Sequence, residues 1–266
     1  AKLDALPGPL GVPSTGGESW CAVYRSVLPG SSIPVYCLDH EAYFGRDGIY
    51  GSKTEPDFQD NPERFSFLCR AAFQLCRKLD WYPEIMHAHD WPAALVPVYR
   101  DELEQAPEFD RTATVLTIHN LGYQGIYSKN QFPSLALPWQ QFHEAGLEFH
   151  DCINLLKAGI SRADKLSTVS PTYAREIETP ELGSSLDGLL RARSEHLVGI
   201  LNGVDLDEWN PASDAHLPAS YSASDMSGNA ACKQALQREF GLAENPDVPL
   251  IGMVSRLSEQ KGIVEL

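Results

Sequence analysis

Short, mostly apolar runs that each end at a polar residue recur along this chain, with helically spaced segments between them. The runs are 84–88, 113–118, 165–169, 198–201 and 249–254. Runs of this length without strict polar alternation read as strands covered on both faces. The intervening segments read as helices. Asn61-Pro62 offers an N-cap and a proline at the first helical position, and Phe65, Leu68, Ala72, Leu75, Cys76 and Leu79 then keep helical spacing. Further helices are expected over 93–99, 152–163, from Ser170-Pro171 onward, and over 233–240 before Gly241. Strand–helix alternation of this kind predicts an α/β fold built on a doubly wound parallel sheet. Outside it, the first thirty residues read as loop apart from a strand at 20–28. A second strand is expected at 33–38, and the stretch 39–60, with Gly45, Gly48 and Gly51, reads as a surface loop.

Ligands of an open parallel sheet bind beyond the carboxyl ends of its strands, so the polar residues there are the site candidates. They are His87-Ala88-His89-Asp90-Trp91, His119-Asn120, Ser170-Pro171, Asn202-Gly203-Val204-Asp205, and Ser255-Arg256 with Lys261. A His-x-His at a strand end is also how metal-dependent hydrolases begin, with His119 as a third ligand. Such an enzyme would want more His and Asp after later strands, where this chain has Ser170, Asn202 and Arg256. The formal net charge of −15 argues against a nucleic-acid partner and against an anionic membrane face, while a neutral polysaccharide is compatible with it. No apolar run approaches a membrane span, and the first residues lack the blocks of a signal peptide. The six cysteines show no metal-finger spacing and read as reduced, buried thiols, with Cys69 and Cys76 facing one core.

HAHDW, TIHNLGYQG, LKAGISRADKLSTVSPTYAREI, LDGLLRARS, GILNGVD followed by WNP, and SRLSEQKG stand in this order, and together they resemble the bacterial glycogen synthase and plant starch synthase family. The resemblance runs from about residue 33 to the end. It implies a retaining, two-domain glycosyltransferase of the GT-B type, with a Rossmann-like domain on each side of a cleft. The implied reaction moves glucose from ADP-glucose (UDP-glucose in some members) to the non-reducing end of an α-1,4-glucan. The partners it implies are a nucleotide sugar and that glucan, with no metal or other cofactor.

Carried over residue by residue, the resemblance gives His119 and Asp90 as the catalytic pair. His119 would lie against the donor glucose and Asp90 near the reacting sugar or acceptor hydroxyl. Arg256, Lys261, Asn202 and Tyr50 would contact the donor, the first two neutralising charge that grows on the distal phosphate. Trp91 and Asn120 would contact the acceptor, with core packing the other, equal reading for Trp91. The family's Lys-x-Gly-Gly-Leu loop has no counterpart here, since Thr15-Gly16-Gly17 lacks the preceding Lys and lies too close to His87.

The domains expected are 1–245, the acceptor-side catalytic domain, incomplete at its start, and 246–266, the first βα unit of the nucleotide-sugar-binding domain. Such a fragment is expected to be inactive alone. A non-catalytic glucan-binding relative and a sucrose- or trehalose-type transferase are the rival readings. The compartment implied is the cytoplasm in a bacterium or the stroma of a plastid.

Overall fold

In a computed structural model that describes residues 2–257 and 259–264, the chain opens with an antiparallel sheet instead of the expected loop. Strands β1 (Asp4–Ala5), β2 (Leu10–Ser14), β3 (Gly17–Val27) and β4 (Pro34–Asp39) pair around β3. The Ser14–Gly17 pair closes the β2–β3 hairpin over Thr15-Gly16. Leu10 and Val12 alternate on β2, and Cys21 and Val23 on β3, so one face of the hairpin is apolar and buries itself.

What it packs on is a helix that serves two cores. After the short α1 (Glu41–Phe44) comes α2 (Asn61–Leu79), whose Phe67 and Ala71 meet the hairpin. Its Phe65, Cys69, Phe73 and Cys76 turn toward the main core. The helix begins one residue earlier than expected: Asp60 is the N-cap, and Pro62 is second in the helix, where its missing N–H still costs nothing. Asn61 cannot cap because its side chain is committed inward. Its Nδ2 donates to the Tyr50 carbonyl and to Asp57 Oδ1, each at 2.8 Å.

The expected parallel sheet follows. Its first strand β5 (Ile85–His89) leads into α3 (Asp90–Ala93) and α4 (Leu95–Glu102), and β6 (Ala113–Ile118) is next. A small antiparallel sheet of β7 (Ile126–Ser128), β8 (Glu148–Phe149) and β9 (Cys152–Asn154) precedes α5 (Leu155–Arg162). Residues 152–154 were expected to be helical, but they pair as β9, and Asn154 Oδ1 accepts the Lys157 N–H as the true N-cap. Then come β10 (Lys165–Thr168), α6 (Pro171–Glu176), α7 (Asp187–Ala192) and β11 (Leu197–Gly199). The sheet order is β5-β6-β10-β11, all parallel, so each new strand is added on the same side. Leu116, Ile118 and Leu166 of the central strands are buried.

The chain divides into two compact units, 1–202 and 203–266. The second holds α8 (Ser227–Glu239), whose Lys233 Nζ donates to the carbonyls of Pro246 and Val248. Residues 249–254, expected as a strand, form none: a strand exists through its ladder, and no described strand pairs with them. Cys21, Cys69 and Cys76 are buried, Cys152 and Cys232 half-buried, and Cys37 exposed; all six are free thiols, so burial is not general. Burial pushes the Cys69 thiol up to about 12.

Candidate active site

Parallel pairing of β5 with β6 sets His89 opposite Thr117, which brings both carboxyl ends to one edge of the sheet. Asp90 follows β5 and His119 follows β6. The Asp90 backbone is left-handed, at φ +55°, a region costly for a residue other than glycine. That turn aims its carboxylate across the edge, where Oδ1 accepts the backbone N–H of His119 at 2.8 Å. The His119 ring is held separately: its Nε2 lies 3.0 Å from His89 Nδ1. Burial, then the neighbouring His87 and His119, hold the His89 pKa below the ordinary histidine value, with Asp90 opposing.

The loop after His119 is fixed from the next strand over. Ser170 N-caps α6, its Oγ accepting the Tyr173 N–H at 2.9 Å. That cap presents the Tyr173 hydroxyl to the Leu121 N–H at 3.0 Å. Asn120 Oδ1 accepts the Gly122 N–H at 2.9 Å. TVSPTY is therefore a support for the His119-Asn120 turn.

The sequence leaves Trp91 between stacking on an acceptor glucose and core packing, and the residue is only 6% exposed. It lies among Phe65 (4.7 Å between centroids), Tyr50 (5.5 Å) and Tyr127 (6.0 Å). Gly125, at φ +64°, closes the remaining side, since a Cβ there would come within 2.6 Å of the ring. No face of the indole is left for a sugar, and the residue works as the floor beneath Tyr50.

Tyr50 is 48% exposed and so presents an aromatic surface beside Trp91. Its loop is clamped by a buried polar node that the sequence does not announce. The Arg64 guanidinium, fully buried, donates to the carbonyls of Tyr43 (2.7 Å) and Ile49 (3.0 Å) and to Asn61 Oδ1. The rings of Phe44, Phe58 and Phe65 lie 5.0–5.8 Å from its centre. Asp57 Oδ1 accepts from both Asn61 and Tyr127. A buried cation that donates to loop carbonyls is a costly way to fix a loop unless the loop must keep its shape.

Two motif cations are structural. Arg193, in LDGLLRARS, donates to the carbonyls of Ile160 (3.0 Å), Ser161 (2.9 Å) and Ala163, the last turn of α5. Lys157, in LKAGISRADK, donates to the carbonyls of Glu144, Gly146 and Glu148, and burial draws its pKa down.

The structure thus places Asp90, His119 and Asn120 at one edge of the sheet, with Tyr50 against Trp91, the residue after Asp90. Asn202 is exposed just beyond β11 of the same sheet. Arg256 and Lys261 belong to the second unit, where both are exposed, Lys261 at the end of a 3-10 turn. Among the described residues, no group of three or more His, Cys, Asp or Glu is arranged to hold a metal ion. Among them too, no helix is long and apolar enough to cross a membrane.

The chain is a parallel α/β sheet domain with a His–Asp pair at its carboxyl edge, and comparison with known proteins gives its family. Residues 2–192 match the starch synthase catalytic domain, and the chain belongs to that family. A glycogen synthase of Treponema denticola is 51% identical over 265 residues, which is 100% of this chain and 54% of that protein. One from an Anaeromyxobacter species is 55% identical over 232 residues, 86% of this chain and 48% of that protein. The solved catalytic domain of starch synthase IV from Arabidopsis thaliana, bound to ADP and acarbose, superposes with a TM-score of 0.81 at 33% identity. That match covers 99% of this chain and 54% of the other. The chain spans about half the length of the curated relatives it matches.

Proposed function

We propose that this chain is the sugar-facing half of a glucan synthase that moves glucose from ADP-glucose to the non-reducing 4-hydroxyl of an α-1,4-glucan, with retention. The observation that carries the reading is His119, held by Asp90 at its backbone and by His89 at its ring, on the carboxyl edge of the parallel sheet. In the transfer the bond from the anomeric carbon to the diphosphate breaks and a bond to the acceptor oxygen forms. The acceptor hydroxyl gives up its proton, and ADP departs with the bonding electrons.

His119 fits the task of holding sugar hydroxyls and orienting the anomeric centre, and Tyr50, Asn120 and Asn202 that of flanking it. Arg256 and Lys261 are assigned to the departing diphosphate, whose growing charge needs fixed cations. Asp90 is assigned to the reacting sugar through its hold on His119. No metal or other cofactor enters this reading, and the partners are the nucleotide sugar and the glucan. The donor is taken as ADP-glucose because the superposed starch synthase carries ADP. The compartment is taken as a bacterial cytoplasm because the relatives with the higher identity are bacterial.

The test is a chimaera in which this chain replaces the matching part of the Treponema denticola glycogen synthase. It is expected to incorporate labelled glucose from ADP-glucose into glycogen, more slowly from UDP-glucose. His119→Ala is expected to cut turnover by about a hundredfold while ADP affinity, read by calorimetry, stays nearly unchanged. A soluble, folded chimaera that makes no glucan would sink the reading.

A further inference from the structure

Three imidazoles line the carboxyl edge of the sheet, and the reading above uses only one of them directly. His87 and His89 alternate on β5 and so share a face; their rings are stacked at 4.3 Å. His89 and His119 follow at 5.3 Å between centroids, joined by the 3.0 Å contact from Nδ1 to Nε2. His87 is tied elsewhere, its Nε2 lying 2.6 Å from Thr117 Oγ1, which in turn lies 2.6 Å from Ser167 Oγ.

A hydrogen bond between two imidazole nitrogens holds one hydrogen, so the tautomer of one ring dictates that of the other. With Nε2 of His119 engaged, only its Nδ1 is left to meet a ligand. Nδ1 is an acceptor if Nε2 carries the hydrogen and a donor if it does not. The geometry points to His89 as the positioning residue of His119: through this bond it fixes the ring's orientation and tautomer, and so what Nδ1 offers to the sugar. The inference rests on the glucosyl-transfer reading for the word sugar, and on the 3.0 Å contact alone for the pairing.

The pair also has a defined response to acid. One added proton leaves an N–H···N bond intact, whereas a second removes the acceptor and sets two cations side by side. The charged groups facing His89 are His87 from its own strand, His119 from the end of β6 and Asp90 from the start of α3. Burial and the two histidines hold its pKa below the ordinary 6.5. The sign follows: the neutral pair persists above that lowered value and takes up a proton as pH falls through it.

Histidine-selective 15N labelling of the whole chain reads this directly, by long-range NMR correlation from about pH 5 to about pH 9. In the wild type, His89 and His119 are each expected in a single tautomer near neutrality. In His89→Ala, His119 should revert to mixed tautomers. His89→Asn, whose amide reaches the place of Nδ1, should restore the single tautomer of His119. The same tautomer distribution for His119 in wild type and His89→Ala would overturn the proposal. Should the Ala variant fail to fold, mixed tautomers of His119 in the wild type would overturn it equally.

In the chimaera, His89→Ala is expected to lower kcat by about tenfold and to leave the KM for ADP-glucose within about twofold, because a misplaced ring acts on the transition state. An unchanged kcat would count against positioning. A wild-type chimaera without turnover would remove the functional reading while the NMR result still decides the pairing.

Discussion

Asp90 is where the backbone is asked to do something unfavourable. A left-handed conformation at a non-glycine residue costs about 1–2 kcal/mol, and a charged acceptor for a backbone N–H returns about 1.5–3 kcal/mol. Asp90→Ala keeps the cost and loses the return, so it should lower the unfolding free energy of the chain by about 1–3 kcal/mol in urea titration. Asp90→Asn retains an oxygen at the same place and tolerates left-handed φ, so it should lose less than half of that. Equal stability of the Ala variant and the wild type would show that the carboxylate does not hold the His119 N–H in solution. At this scale the sequence indicates which residues gather: HAHDW and TIHN both end strands, and strand ends of a parallel sheet meet. It does not indicate what they do to one another. That Asp90 faces a backbone N–H depends on one φ angle, which no residue type announces. His89 was open to detection, because alternate residues of a strand point the same way. The Arg64–Asn61 node was not, since Asn61-Pro62 reads equally well as a helix cap.

Elements were legible where local pattern and tertiary pairing agree. Strands at β4, β5, β6, β10 and β11 and the helix α2 fall within a residue or two of the apolar runs that mark them. Elements hidden from the local pattern are those settled by pairing with another strand. Residues 152–154 have helical neighbours, yet β7 and β8 claim them as a strand. The opening hairpin carries a clear two-residue alternation at Leu10 and Val12, but the Pro, Gly and Ser around it mask the signal. Residues 249–254 have the composition of a strand and no described partner. Trp91 was the balanced case, and its burial was decided by Gly125, which faces it from the approach to β7. Gly125→Ala must place a methyl group 2.6 Å from the indole at φ +64°. Both the strain and the overpacking act against the fold, together about 2 kcal/mol or more. The expected sign at this element is a fall in thermal midpoint with a red shift of tryptophan emission as the ring is displaced; a blue shift or an unchanged midpoint would contradict the packing described.

At the scale of the whole chain, the two units differ in what holds them. Unit 1–202 has a contiguous core running from Phe65 through Leu116, Ile153 and Leu166 to Leu190. In 203–264, the only buried residues among those described are Gly228 and Gln237, neither of them hydrophobic. Trp209, Phe240, Ile251 and Val254 are exposed there. Local opening free energies follow buried apolar contact, so the second unit should open far more often than the first. Limited trypsin digestion is the natural readout, because Lys233, Arg238, Arg256 and Lys261 supply sites in the second unit while Arg64 and Arg193 are tied into the first. Cleavage at Lys233 and beyond should come first, leaving a product that ends near the α8 segment and retains the sheet. When opening is fast relative to cutting, the ratio of rates reports the difference in opening free energy, and a tenfold ratio corresponds to about 1.4 kcal/mol. Mass spectrometry of the time course should show that ratio at tenfold or more in favour of the second unit. Addition of ADP should leave cutting within 61–193 unchanged. First cuts inside that range, at rates matching those beyond 203, would mean that the parallel sheet is not the stable body of this chain.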